Sequence, residues 1–144
     1  MANYTYTTVA GNVRAILNAA ISTIDDSNIT ADETNDQSPH TFPYITIQEG
    51  IGEARNPNAA RDYETHEELV QVDLYQKRSE VAEDVTLVAQ IIRALNNNTG
   101  INPLGANGEN GVMFRCRFFS KVHRYERDTQ IVNDTITFAV PKRY

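Results

Sequence analysis

The chain has 144 residues, 40% of them apolar and 22% charged, with a formal net charge of -6. This length fits a single domain spanning residues 1–144, and the composition is ordinary for a globular protein. The acidic balance argues against non-specific binding to nucleic acid or an anionic membrane. A single cysteine, Cys116, excludes an intrachain disulfide and a cysteine metal cluster.

The opening MANYTYTT has no basic region and no apolar run, so no secretory leader is expected. No stretch approaches the roughly 20 apolar residues of a membrane span, and a cytoplasm-like compartment follows. Over residues 9–24, Val9, Val13, Ile16, Leu17, Ala20, Ile21 and Ile24 recur at spacings of three and four, which predicts a helix with one apolar stripe. Thr7 or Thr8 can cap it. Residues 25–42 (DDSNITADETNDQSPHTF) read as a solvated acidic loop.

Pro43 opens a short strand over 44–49, with Ile45 and Ile47 on one face, ended by Gly50 and Gly52. A polar loop follows, then a strand over 63–76 in which Val70, Val72 and Leu74 share a face. Ser79 caps a second helix, where Val81, Val85, Val88, Ile92 and Leu95 form the stripe and an asparagine run marks the stop. After a glycine- and asparagine-rich loop, a third strand spans 112–126. Its inward residues are Val112, Phe114, Cys116, Phe118 and Val122, and Met113, Arg115, Arg117, Lys121 and His123 face away. A last strand spans 129–140, with Val132, Ile136, Phe138 and Val140 inward and Pro141 ending it.

The order is therefore α-β-β-α-β-β. It predicts an α+β fold in which two helices cover one face of a four-stranded antiparallel sheet. The expected core comprises Val13, Leu17, Ile21, Ile45, Ile47, Val70, Val72, Leu74, Val85, Val88, Ile92, Phe114, Phe118, Ile136 and Phe138.

A search for chemistry comes back empty. His40, His66 and His123 have no metal-ligand spacing and read as solvated. Gly100, Gly105, Gly108 and Gly111 lead into a strand, whereas a phosphate cradle needs a helix N-terminus. Glu67 and Glu68 are adjacent on a strand and so point to opposite faces. No catalytic residue, cofactor or metal is expected.

Charge is the uneven feature. Arg115, Arg117, Lys121, Arg124 and Arg127 face Glu126 alone in residues 112–127, whereas Asp25, Asp26, Asp32, Glu33 and Asp36 have no base near them. Asp62, Glu64, Glu67, Glu68 and Asp73 add to the acid. One account is cross-strand pairing of an acidic second strand with a basic third strand. A second is a head-to-tail interface, in which one copy's acidic edge meets the next copy's basic edge; a basic nucleic-acid face is the third, disfavoured by the net charge. Interface candidates are Asp25, Asp26, Asp32, Glu33, Arg55, Arg61, Glu67, Asp73, Tyr75, Arg115, Arg117, Lys121 and Tyr125, with Tyr75 and Tyr125 supplying apolar contact.

The first amphipathic helix, the strand Pro43-Tyr44-Ile45-Thr46-Ile47, the strand ending Val70-Gln71-Val72-Asp73-Leu74-Tyr75, the helix beginning Ser79-Glu80-Val81 and the hairpin from Arg124-Tyr125-Glu126-Arg127-Asp128 to Asn133-Asp134-Thr135-Ile136-Thr137-Phe138 together resemble the tail-terminator, or tail-completion, proteins of long-tailed phages and related tail-like particles. The resemblance covers nearly the whole chain; the acidic segment at 25–42 departs from it. It implies a non-enzymatic virion protein of the tail or neck, assembled in the host cytoplasm as a homo-oligomeric ring, usually of six. The implied partners are the tail tube protein and a head-side connector or stopper. DNA would be only passing cargo in the lumen, and no membrane would be involved. The alternatives are another neck or head-closure protein, and a small-ligand or enzymatic α+β domain with a pocket near His66 and His123.

Overall fold

The computed structural model describes residues 9–31, 41–54, 65–77, 81–97 and 116–143. The elements are α1 (Val9–Ala20), a 3-10 turn (Asp26–Asn28), β1 (Ile29–Ala31), β2 (Tyr44–Ala54), β3 (Thr65–Lys77), α2 (Val81–Leu95), β4 (Arg117–Glu126) and β5 (Ile131–Arg143). The class is α+β, as the periodicities predict.

The sheet has five strands, in the order β1-β2-β3-β5-β4, rather than four. It is also mixed. β2–β3, β3–β5 and β4–β5 are antiparallel, but β1 runs parallel to β2 through Ile29↔Ile45 and Ala31↔Ile47. The added strand lies inside the stretch that reads as an acidic loop. Ile29, wholly buried, anchors it, and Arg14 of α1 donates from Nε to the Ile29 carbonyl at 2.7 Å. Ile29 and Ala31 alternate with Thr30, but three residues are too few for an alternation to stand out from a polar loop.

Register places Ile45 and Ile47 of β2, Val70, Val72 and Leu74 of β3, and Ile136, Phe138 and Val140 of β5 on one face. These residues form the core with Val9, Val13, Leu17, Ile21 and Ile24 from α1 and its exit, and with Leu87, Val88, Ile91 and Leu95 of α2. Ile91 is more deeply buried than Ile92, which is only partly covered, so the buried stripe of α2 is rotated toward Leu87 and Ile91. Val85 has only its backbone described, and Phe114 lies outside the described residues. α1 packs on α2, β1 and β2, while α2 lies over β3, β5 and β4. No acid lies in the first turn of α1; instead Glu49, on the core face of β2, accepts from the Ala10 amide at 3.3 Å. A carboxylate brought across from the sheet thus satisfies one of the helix's orphan donors.

Three features of the strands differ from expectation. β2 does not stop at Gly50 but continues to Ala54 with a register irregularity between Glu49 and Glu53, so the glycines mark a kink rather than an end. β5 runs past Pro141, which pairs with Glu67. β4 carries a bulge at Phe119: Phe118 pairs with Phe138, but Ser120 pairs with Thr137.

The bulge reverses which side chains face the helices. Beyond it, Lys121, His123 and Tyr125 share the helix-side parity of Ile136, Asp134 and Val132, and Val122 turns to the far face. Phe118 and Val122, expected in the core, are 39% and 45% exposed. Cys116, just before the strand, is buried as expected, and burial pushes its thiol up to about 12.

Candidate interaction surface

β4 is an edge strand among the described residues, and its start is fixed by the end of α2. Asn97 adopts a left-handed conformation (φ 63°), which asparagine tolerates at a helix end, and its amide donates to the Cys116 carbonyl at 2.7 Å. The Phe118 amide donates to the Asn96 side-chain oxygen at 3.0 Å. The asparagine run that stops the helix therefore also sets the height at which β4 begins.

From there β4 is exposed along nearly its whole length, on both faces. The exposed large apolar side chains of the described structure are Phe118, Phe119, Val122 and Tyr125, all on this strand. Arg117, Lys121 and Arg124 are interleaved with them, and the Arg117 guanidinium sits 5.7 Å from the Phe119 ring centroid. Phe118 meets Phe138 edge-on at 6.2 Å, which ties the strand to the core at one end only.

The far face of the sheet, which carries no helix among the described residues, holds a groove of about 420 Å³ lined by Tyr44, Tyr75, Arg124, Tyr125, Glu126, Ile131 and Asn133. Tyr44 and Tyr75 are direct cross-strand partners with rings stacked at 4.6 Å. Phe42 tilts against Tyr44 at 5.3 Å, and Lys77 Nζ lies 4.7 Å from the Phe42 centroid. Burial raises the pKa of both phenols, and the nearby Asp73 charge raises Tyr75 further. The groove opens beside β4, which contributes Arg124, Tyr125 and Glu126 to its lining.

At the opposite edge of the sheet is the corner that precedes β1. Asp25 and Asp26 are both exposed there. The Asp25 carboxylate accepts from the Ser27 amide at 3.2 Å and caps the 3-10 turn. Four strand spacings separate this corner from β4, about 19 Å in all. The carbonyls of Asp26 and Ile29 already accept from the Arg14 guanidinium, and β1 is three residues long. Any contact made at this edge would therefore run through side chains rather than by adding a strand.

The interface candidates are thus spread over unlike places. Asp25 and Asp26 sit at one edge, Arg117, Lys121 and Tyr125 at the other, and Tyr75 on the far face. Asp73 is buried between strands, its oxygens accepting from Gln71 Nε2 at 2.7 Å and Thr135 Oγ1 at 2.6 Å. Only the backbone of Glu67 is described, and Asp32, Glu33, Arg55, Arg61 and Arg115 lie outside the described residues. The acidic second strand and the basic third strand are not direct neighbours in the sheet, because β5 lies between β3 and β4.

His123 is not simply solvated as its sequence context predicts. Its Nδ1 donates to Asp134 Oδ1 at 2.8 Å, and Asp134 is buried. The bulge creates this pair, since it brings His123 opposite Asp134. Among the described residues no three His, Cys, Asp or Glu side chains could jointly hold a metal ion, and no helix is long and apolar enough to cross a membrane.

A known fold matches this arrangement. A chain in the solved structure of the virion of a native gene transfer agent (GTA) particle aligns over 94% of this chain and 98% of that chain, with a TM-score of 0.60 and 11% sequence identity. At that identity the likeness concerns the fold. No family model matches the chain, and no curated protein sequence does.

Proposed function

We propose that this chain is a structural virion protein that closes the head-proximal end of a phage-type tail tube as a ring of identical copies. The observation that carries the reading is the pair of unlike edges. β4 offers exposed apolar and basic side chains, and about 19 Å away across the sheet the Asp25–Asp26 corner offers acid. Unlike, complementary edges on opposite sides of one domain suit a head-to-tail contact, which closes into a ring when the rotation allows. The virion particle whose chain shares this fold over nearly its whole length supports the reading as a virion structural protein.

In this reading Phe119, Val122 and Tyr125 supply the binding energy of the joint, while Arg117, Lys121 and Arg124 set its register against Asp25 and Asp26 of the next copy. Six copies are proposed from the sequence resemblance. The ring would rest on the last tier of tube protein, end its polymerisation and present its other surface to the head-side connector. Its lumen would pass DNA, and the acidic net charge of the subunit would limit sticking to phosphate.

Electron microscopy of particles assembled without this chain tests the proposal. Overlong tails of variable length are expected. Tails of normal length on leaking heads would instead make it a head-closure protein.

A further inference from the structure

The helix-covered face of the sheet contains polar atoms that the protein itself does not satisfy. Gln76 follows Val70, Val72 and Leu74 on the inward parity of β3 and is wholly buried, yet neither its Nε2 nor its Oε1 has a hydrogen-bond partner. Asp134 has the same parity on β5 and is also buried. One of its carboxylate oxygens accepts from His123, and Oδ2 has no partner. Leu74 is directly opposite Asp134 and Gln76 opposite Val132, so Gln76 and Asp134 are diagonal neighbours on one face, within reach for a side chain as long as glutamine. Two acceptors and one donor group thus occupy neighbouring positions on the sheet face against which α2 packs.

We infer that Gln76 and Asp134 form an internal hydration site that holds one or two ordered water molecules between Asp134 Oδ2 and the Gln76 amide. The donor set selects the occupant. An anion is repelled by the Asp134 carboxylate. A divalent cation needs about six oxygen ligands, and this site offers two, with the imidazole Nδ1 already committed. A lysine or arginine from a partner could serve the two acceptors but would leave Nε2 without an acceptor, and atoms this deeply buried are out of its reach. Water donates to Asp134 Oδ2 and Gln76 Oε1 and accepts from Nε2, so it matches all three. Buried waters occur at roughly one per 27 residues, so such a site is ordinary in frequency. It makes this part of the interlayer wet. The inference is independent of the ring reading.

Gln76→Met, nearly isosteric and apolar, separates the possibilities by sign. If water bridges the two residues, the variant loses a satisfied network and strands Asp134 Oδ2, so its Tm falls by several degrees. An unchanged or raised Tm would overturn the proposal, because removing polar atoms that bind nothing relieves the protein. ¹⁷O relaxation dispersion on the two proteins should count one or two fewer long-lived waters in the variant; a difference of zero would also overturn it. If the variant does not fold, a high-resolution crystal structure of the unaltered chain decides. Water within hydrogen-bond distance of both groups is expected, and a dry site or a protein group there refutes the inference.

Discussion

Reversing the charge of β4 should weaken self-association without touching the fold. Lys121 and Arg124 are exposed on a strand whose outer parts carry little of the core, so the double variant Lys121→Glu/Arg124→Glu changes few intramolecular contacts. An exposed ion pair contributes about 0–1 kcal/mol. Turning two attractions into two repulsions therefore shifts each subunit joint by about 1–2 kcal/mol, or roughly 5–30-fold in dissociation constant. The effect should be clear by sedimentation at 50 mM salt and nearly gone at 1 M, where the Debye length is about 3 Å. Adding Asp26→Lys should restore association, because it returns opposite charges to the joint. Asp26 suits this better than Asp25, whose carboxylate caps the 3-10 turn. The Tm of the isolated subunit should stay within about 1–2 °C of the unaltered protein. An equal fall in subunit Tm, or no rescue by Asp26→Lys, would refute the edge-to-edge joint.

Other outcomes follow from the core. Leu74→Ala, at a wholly buried site, should cost about 2–5 kcal/mol in chemical denaturation. Phe138→Ala should cost about 3–5 kcal/mol, and Phe118→Ala only about 1–2 kcal/mol because 39% of that residue is exposed; equal losses would contradict the exposed edge position of Phe118. Native Cys116 should resist thiol reagents and react promptly once unfolded. Its folded pKa is raised from 9.0 to about 12, so the unfolded chain loses that proton first as pH rises. Stability from this group is complete below pH 9 and is lost between pH 9 and 12 at about 1.4 kcal/mol per pH unit. The raised Tyr44 and Tyr75 phenols act in the same direction above pH 10. Comparison with Cys116→Ala isolates the thiol: the variant should lack about 2 kcal/mol of the decline between pH 8 and pH 10.5.

What was legible in the sequence follows the strength of its periodicities. The alternation of Val70, Val72 and Leu74 and the helical spacing of Val13, Leu17 and Ile21 give the correct buried faces, since period 2 and period 3.6 are fixed by backbone geometry. Extending the same alternation would have placed Gln76 and Asp134 on the core face, a polar signal that the apolar pattern obscured. The reversal along β4 had no such signal. A one-residue bulge shifts parity without altering composition, so Phe118-Phe119 reads as ordinary strand, and unbroken alternation predicts the wrong faces for Lys121, His123 and Val122. The short β1 is hidden because Ile29-Thr30-Ala31 is only three residues of alternation inside a polar stretch. The groove of Tyr44 and Tyr75 depends on strands brought together by register, and the sequence supplied only its tyrosines.

The central claim is tested most directly by adding the purified chain to polymerising tail tube protein and imaging the tubes. Shorter tubes that carry a ring of this protein at one end only are expected, with Lys121→Glu/Arg124→Glu failing to cap them. Tubes of unchanged length with bare ends, in the presence of excess folded protein, would contradict it.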